Sequence, residues 1–345
     1  MTRKHSFVFV ILVSLFFLLT IGKTAYSEEK TGDKVEYQKI RQKFGTLYKE
    51  KKYKEAAELL QKNWKHFPEK THATAWNLAI TYKQLKQYKR GIKALKRALK
   101  TGVWYSIYAF RGEFFKPYRD LKAFQEVIDM NNRLRDEAQK KAKPQTKVVL
   151  PEGYSGEKKY PLFLALHGGG ENIETFEPRW KSQKLSKEFI TVFLQSSQVV
   201  SMTGFSWENE ETTKKEISEA FAKIMKDYSV DKKEILIGGF SSGGFATLIT
   251  VFSNIIPATG FIILCPPMPE GINQEDLNAA KERGLRGTLL TTEMDPRIGK
   301  QRAMIDMFKK AGLQYQLVVF PNIGHWYPKD LDKKIDMAID HIRYK

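Results

Sequence analysis

In Gly239-Phe240-Ser241-Ser242-Gly243 a serine stands between two glycines, each two residues away. A serine hydroxyl is a poor nucleophile unless it is exposed and has a base beside it. The stretch before the motif, EILIG, reads as a strand, and the stretch after it, GGFATLITVF, reads as a helix. In that setting G-x-S-x-G forms a sharp strand-to-helix turn that holds the Ser241 hydroxyl at the edge of a sheet. Ser242 competes for the role but lacks the spacing.

The base is expected at His325, in Pro321-Asn-Ile-Gly-His325-Trp-Tyr-Pro, just after the strand-like run QLVVF. The other histidines compete badly. His5 lies at the extreme N-terminus, His66 and His72 in a helical region, His167 in a separate motif and His341 in the C-terminal helical stretch. A histidine base needs a carboxylate to fix its tautomer and stabilise the imidazolium. Glu293-Met294-Asp295-Pro296 follows the strand-like GTLLT, and a loop there can reach a histidine on the next loop. Asp295 is the first choice and Glu293 the alternative. His167-Gly168-Gly169-Gly170 follows the apolar run LFLAL. Glycines there let backbone N–H groups face a developing oxyanion, so Gly169 and Ser242 are the expected donors.

These residues need a scaffold. From residue 146 onward, apolar runs of strand length alternate with helix-length amphipathic segments. The expected strands are 147–150, 162–166, 190–194, 234–237, 259–264, 288–291 and 316–320, with helices such as 213–228 and 301–311 between them. That alternation implies βαβ units and a mostly parallel sheet covered on both faces.

YPLFLALHGGGEN, FSWENE, GGFSSGG, TEMDP and IGHWYP resemble successive motifs of the α/β-hydrolase superfamily. They are most similar to its bacterial esterases of the phospholipase/carboxylesterase and dienelactone-hydrolase-like groups. The resemblance spans essentially all of 146–345, and the chain order Ser, Asp, His is that of the superfamily. It implies ester hydrolysis through an acyl-enzyme with no cofactor. It also implies that 202–207 and 266–268 border the acyl pocket, which makes Phe205, Trp207 and Met268 pocket candidates. True dienelactone hydrolases carry cysteine where Ser241 stands, which argues against dienelactone as substrate. No metal site is expected, because the histidines are scattered and cysteine clusters are lacking. Gly168-Gly169-Gly170 lacks the spacing of a dinucleotide-binding fingerprint.

The front half reads differently. Tyr53-Lys-Glu-Ala56 recurs as Tyr88-Lys-Arg-Gly91, an offset of 35, while Tyr48 and Tyr82 are 34 apart, which suggests one inserted residue. Small residues (Ala56, Ala79, Gly91) fall where paired helices approach closely. Period and pattern resemble the tetratricopeptide repeat, with an unrelated small helical bundle as the alternative. The aromatic-rich stretch 103–130 is expected to cap the array, and 133–145 to be a linker. The expected organisation is therefore a helical-repeat domain over 28–132, the linker 133–145 and an α/β-hydrolase domain over 146–345. The front domain is then expected to be dispensable for chemistry.

Arg3, Lys4 and His5, an apolar run over 7–22 and Ala25-Tyr26-Ser27 make 1–27 a signal peptide, or an uncleaved signal anchor in the alternative. The protein is expected to be exported, to the periplasm or beyond. Residues 28–145 hold 29 Lys and Arg against 14 Asp and Glu, a net +15, whereas 146–345 are nearly neutral. A basic repeat domain fits a protein or peptide partner, or an anionic envelope surface; export argues against nucleic acid. The lone Cys265 permits no intrachain disulfide and reads as core. Two rival functions stay open: a peptidase of the prolyl-oligopeptidase type, and a repeat-domain adaptor with a vestigial hydrolase domain.

Overall fold

A computed structural model describes residues 31–344. The signal segment expected over 1–27 lies outside them. Among the described residues no helix is long and apolar enough to cross a membrane. The chain divides into two compact units, one up to Thr74 and the other from Ala75 onward.

In the first unit α1 (Thr31–Lys49) turns back into α2 (Tyr53–Asn63). Ala56, Ala57 and Leu60 form the buried stripe of α2, at the i, i+1, i+4 spacing of one helix face. Trp64 is buried after it and donates its indole N–H to Thr71 Oγ1 at 3.0 Å.

The second unit opens with most of α3 (Thr71–Gln84) and with α4 (Tyr88–Leu99). The turn between them repeats the turn between α1 and α2 bond for bond. Lys51 and Lys86, 35 residues apart, both adopt left-handed φ (59° and 55°). Lys51 N–H donates to Tyr48 and Lys52 N–H to Leu47; Lys86 N–H donates to Lys83 and Gln87 N–H to Tyr82. A helix–turn–helix is thus repeated at a uniform offset of 35. Tyr82 corresponds to Leu47 rather than Tyr48, so the insertion suggested by the tyrosine spacing is absent.

Residues 103–121 wind through short 3-10 turns whose aromatic side chains close this helical part. Tyr118 lies against Gly91, in space that a Cβ would need, and donates its hydroxyl to the Ala79 carbonyl at 2.7 Å. Trp76, Tyr105, Phe110, Phe115 and Phe124 pack around it. Helix α5 (Lys122–Lys141) follows, and it corrects the expected linker, since 133–141 is helical. Its inward face runs Phe124, Val127, Asn131, Leu134, Ala138. The pattern was masked by a buried asparagine, whose amide exchanges two hydrogen bonds with the backbone of Tyr105 (2.7 and 3.0 Å).

The rest is the expected α/β layer. Seven strands, β1 (Gln145–Val149), β2 (Tyr160–Leu166), β3 (Ile190–Gln195), β4 (Val230–Phe240), β5 (Gly260–Leu264), β6 (Arg286–Thr292) and β7 (Gln314–Phe320), form one sheet in the order β1-β3-β2-β4-β5-β6-β7. Only β1 runs antiparallel. The β pleat alternates side chains between the faces. Leu162, Leu164 and Leu166 of β2 therefore enter one core with α8 (Glu210–Asp227), α9 (Ser242–Phe252), α10 (Gln274–Glu282) and α11 (Ile298–Ala311). Phe163 and Ala165 enter the other, with α6 (Ile173–Phe176), α7 (Gln183–Glu188) and α12 (Leu331–Arg343).

Candidate active site

The site forms where the parallel strands end. β4 runs through Phe240 and α9 begins at Ser242, leaving Ser241 alone at the turn with φ 52° and ψ −113°. A non-glycine residue with positive φ is strained and persists only where its surroundings hold it. Here the Ser241 N–H is tied to the Leu264 carbonyl at the end of β5 (2.9 Å). The two motif glycines are sterically required, because a Cβ on Gly239 would strike the Gly243 backbone and one on Gly243 would strike the Leu166 and His167 carbonyls.

Three expected residues meet at this point. Ser241 Oγ is 2.8 Å from His325 Nε2, and His325 Nδ1 is 2.6 Å from Asp295 Oδ2. Asp295 is buried. Burial alone would raise its carboxyl, but hydrogen bonds from His325, the Arg297 backbone and Cys265 outweigh it, and its pKa falls below the usual value. Glu293 is exposed and accepts instead from the Asn322 N–H at 3.0 Å, away from His325. Phe240 stacks on the His325 ring at 4.9 Å.

The glycine loop lies beside Ser242. A Cβ on Gly169 would stand 3.5 Å from Ser242 Oγ and 3.3 Å from Ser206 Oγ. The neighbouring N–H groups are already used: Gly168 donates to Glu171 Oε2, Gly170 to the Phe205 carbonyl and Glu171 to the Gly168 carbonyl. Gly169 N–H has no acceptor among the described residues, which leaves it free for an incoming oxygen. His167 is structural. It accepts the Ser196 N–H at Nε2 (3.2 Å), and burial lowers its pKa to about 4.

Of the pocket candidates, Trp207 is a core residue. It is 2% exposed, its ring lies 5.2 Å from that of His167, and its indole N–H donates to the His167 carbonyl (3.1 Å), so it supports the glycine loop from beneath. Phe205 is half-buried and bridges Glu171 and Val199 through its backbone. Met268 is half-buried against the core under α9 and α10. A cavity of about 1130 Å³ opens beside the base loop, walled by Arg179, Phe193, Trp326 and Tyr327 among others; neither Ser241 nor His325 lines it.

Sequence reasoning missed two residues. Glu171 is a half-buried carboxylate that accepts from both Gly168 N–H (2.7 Å) and the Tyr327 hydroxyl (2.8 Å), joining the glycine loop to the histidine loop. Burial raises its pKa, against the pull of Tyr327, Gly168 and Arg179. Burial and the Glu171 charge hold Tyr327 well above the usual phenol value, so it stays a donor. Arg297 places its guanidinium against His325 and its backbone N–H on Asp295 Oδ1 (2.7 Å). Adjacency to motifs was the available signal: Glu171 closes HGGGE and Arg297 follows DP.

Cys265, Asp295 and His325 bring potential ligand atoms within 4.8 Å of one another. The donor set fits a metal badly. Burial pushes the Cys265 thiol up to about 12, far from the thiolate a metal takes, and His325 Nδ1 is engaged by Asp295.

Hydrogen bonds also join the loops of the site to residues 103–141 of the same unit. Gln139 of α5 donates to the Ser197 carbonyl (2.9 Å) and accepts the Val199 N–H (3.0 Å). Ile107 N–H donates to the Val200 carbonyl, and Tyr108 hydroxyl to Glu208 (2.5 Å). Glu208 also accepts from Ser206, and Phe205 N–H donates to the Glu171 carbonyl. Bond by bond, 103–141 is stitched to 197–208, and 197–208 to the glycine loop.

A seven-stranded, mostly parallel sheet with a positive-φ serine at its central strand-to-helix turn defines the α/β-hydrolase fold. No family model matches the chain, and no curated protein matches it. Among solved structures it is similar to an uncharacterized protein from Bacillus cereus, at 23% identity and a TM-score of 0.50, over 89% of this chain and 98% of that one. That likeness is one of fold. A feruloyl esterase module from Clostridium thermocellum (18%, TM-score 0.45) aligns over 58% of this chain and 87% of its own. For Arabidopsis thaliana SOBER1 (19%, TM-score 0.44) the shares are 53% and 99%.

Proposed function

We propose that the protein is a serine hydrolase of carboxylic esters. The observation that carries this reading is the unbroken hydrogen-bonded chain Ser241–His325–Asp295, with its serine on a strained turn. Ser241 Oγ attacks the ester carbonyl while His325 Nε2 takes its proton. Asp295 holds the imidazole through Nδ1 and offsets the charge it gains. The N–H groups of Gly169 and Ser242 receive the oxyanion. His325 then protonates the departing alcohol and activates the water that releases the acid.

Ser241→Ala should lower turnover by on the order of 10⁴-fold or more while leaving the fold intact. A fluorophosphonate probe should label the wild type alone; label that persists in the variant would remove Ser241 as the nucleophile. Esters of graded chain length, assayed beside peptide amides, separate the esterase from the peptidase. Strong amide cleavage without ester turnover would select the latter.

Residues 1–27 are proposed to direct export, on the strength of their apolar run and small-residue site. The basic front part, residues 28–145 with their net +15, is proposed to meet a protein or peptide partner or an anionic envelope surface.

A further inference from the structure

Arg297 Nη1 stands 3.2 Å from His325 Nε2 and 3.4 Å from Nδ1. Its backbone N–H is held by Asp295, so the carboxylate that orients the histidine also anchors this arginine. Among the described residues no carboxylate lies within ion-pair distance, 4.0 Å, of its guanidinium. The side chain is nonetheless half-buried over the site rather than extended into solvent.

The proton that His325 takes from the serine makes it a cation, whose charge Asp295 offsets through Nδ1. Arg297 lies against the same ring as a second cation, and Phe240, on the ring, offers it no counter-charge. An anion carried by the substrate would supply that counter-charge and fill the planar fork of guanidinium donors. Nε2 is the atom that returns the proton to the leaving alcohol, so a donor beside it serves the alcohol side of the ester.

We propose that Arg297 selects esters whose alcohol portion carries an oxyanion, a carboxylate or a phosphate, a few atoms from the ester oxygen. This rests on Ser241 being the nucleophile. The step is ordinary hydrolysis: the acyl carbon bonds to Ser241 Oγ, its bond to the alkoxy oxygen breaks, and the serine proton passes through His325 to that oxygen. The anionic alcohol departs; water then bonds to the acyl carbon, the bond to Ser241 Oγ breaks, and a water proton passes through His325 back to the serine as the acid leaves.

The test uses the full-length protein. Acetoxyacetate is compared with the neutral acetoxyacetamide, acetylglycerol phosphate with acetylglycerol, and ethyl hydrogen succinate with diethyl succinate. The wild type should favour an anion on the alcohol side by on the order of 10-fold or more in kcat/KM, mainly through KM, with the advantage falling as salt rises. The larger of the first two preferences identifies carboxylate or phosphate as the natural group. Arg297→Met should abolish the preference, and Arg297→Lys should restore part of it. Equal rates on charged and neutral pairs in the wild type would overturn the proposal, as would a preference that survives Arg297→Met or one confined to the succinate pair. Failure to hydrolyse any ester, together with no fluorophosphonate label at Ser241, would instead bring down the hydrolase reading beneath it.

Discussion

Asp295 and His325 sit on the loops that follow β6 and β7, two neighbouring parallel strands in register, and reach each other across a single strand spacing. Gly168–Glu171 follows β2, but its conformation is set by residues from three distant parts of the chain. Phe205 closes it from one side, Tyr327 from another, and the 197–208 loop behind Phe205 is pinned by Gln139, Ile107 and Tyr108. One wall is made by topology alone, and the other is assembled. The first should fail only when its own side chains change, whereas the second should respond to substitutions well removed from Ser241.

The largest effect belongs to the wall made by topology. Asp295→Asn leaves the shape and removes the charge that fixes the His325 tautomer, so kcat should fall on the order of 10⁴-fold. Glu293→Gln should change it little; equal losses would contradict the geometry. The same substitution has a signature in stability. Asp295 has a folded pKa below the usual value, so its contribution is present above the ordinary carboxylate range and is lost as pH falls through the folded value. The gap in unfolding free energy between wild type and Asp295→Asn should narrow as the solution is acidified. A gap independent of acid pH would count against the shift.

Next comes Glu171→Ala, which leaves the Gly168 N–H and the Tyr327 hydroxyl without their acceptor. Loosening both loops at once should cost about 10- to 100-fold in kcat with a smaller change in KM, as expected when positioning rather than binding is lost. Glu171→Gln keeps an acceptor and should recover much of this. An equal loss in the glutamine variant would mean that the charge, not the two hydrogen bonds, matters.

The smallest effect is the most distant. Gln139→Ala removes two bonds to the 197–208 loop and should lower kcat a few-fold, with about 1–2 kcal/mol of stability lost. Turnover that tracks the wild type at full folding would show that the assembled wall does not transmit so far.

The same contrast explains what could be read from the sequence. Strand runs, the G-x-S-x-G turn and the loops carrying Asp295 and His325 are local patterns, and each of the seven expected strands is present with its ends moved by a few residues. The assembled wall left only weak traces. Asn131 interrupted the apolar period of α5 because its amide is satisfied by Tyr105, which no spacing rule reveals. The expected linker at 133–145 is instead helical as far as Lys141, and Gln139 on that helix bonds to the 197–208 loop. Trp207 is a pocket candidate only through the family resemblance, which implies that 202–207 borders the acyl pocket; its burial follows from the His167 carbonyl that its indole must satisfy. Arg297 and Glu171 act through proximity across loops, and a single chain of letters does not contain that information.

Ser241 holds its left-handed backbone without being a glycine. Such a residue costs the folded state on the order of 1–3 kcal/mol, and glycine at the same position would bear little of that. The position proposed for the nucleophile is therefore one at which the protein is less durable than its sequence permits. Ser241→Gly should withstand more heat than the wild type, and selection for thermal endurance alone would tend to discard the serine.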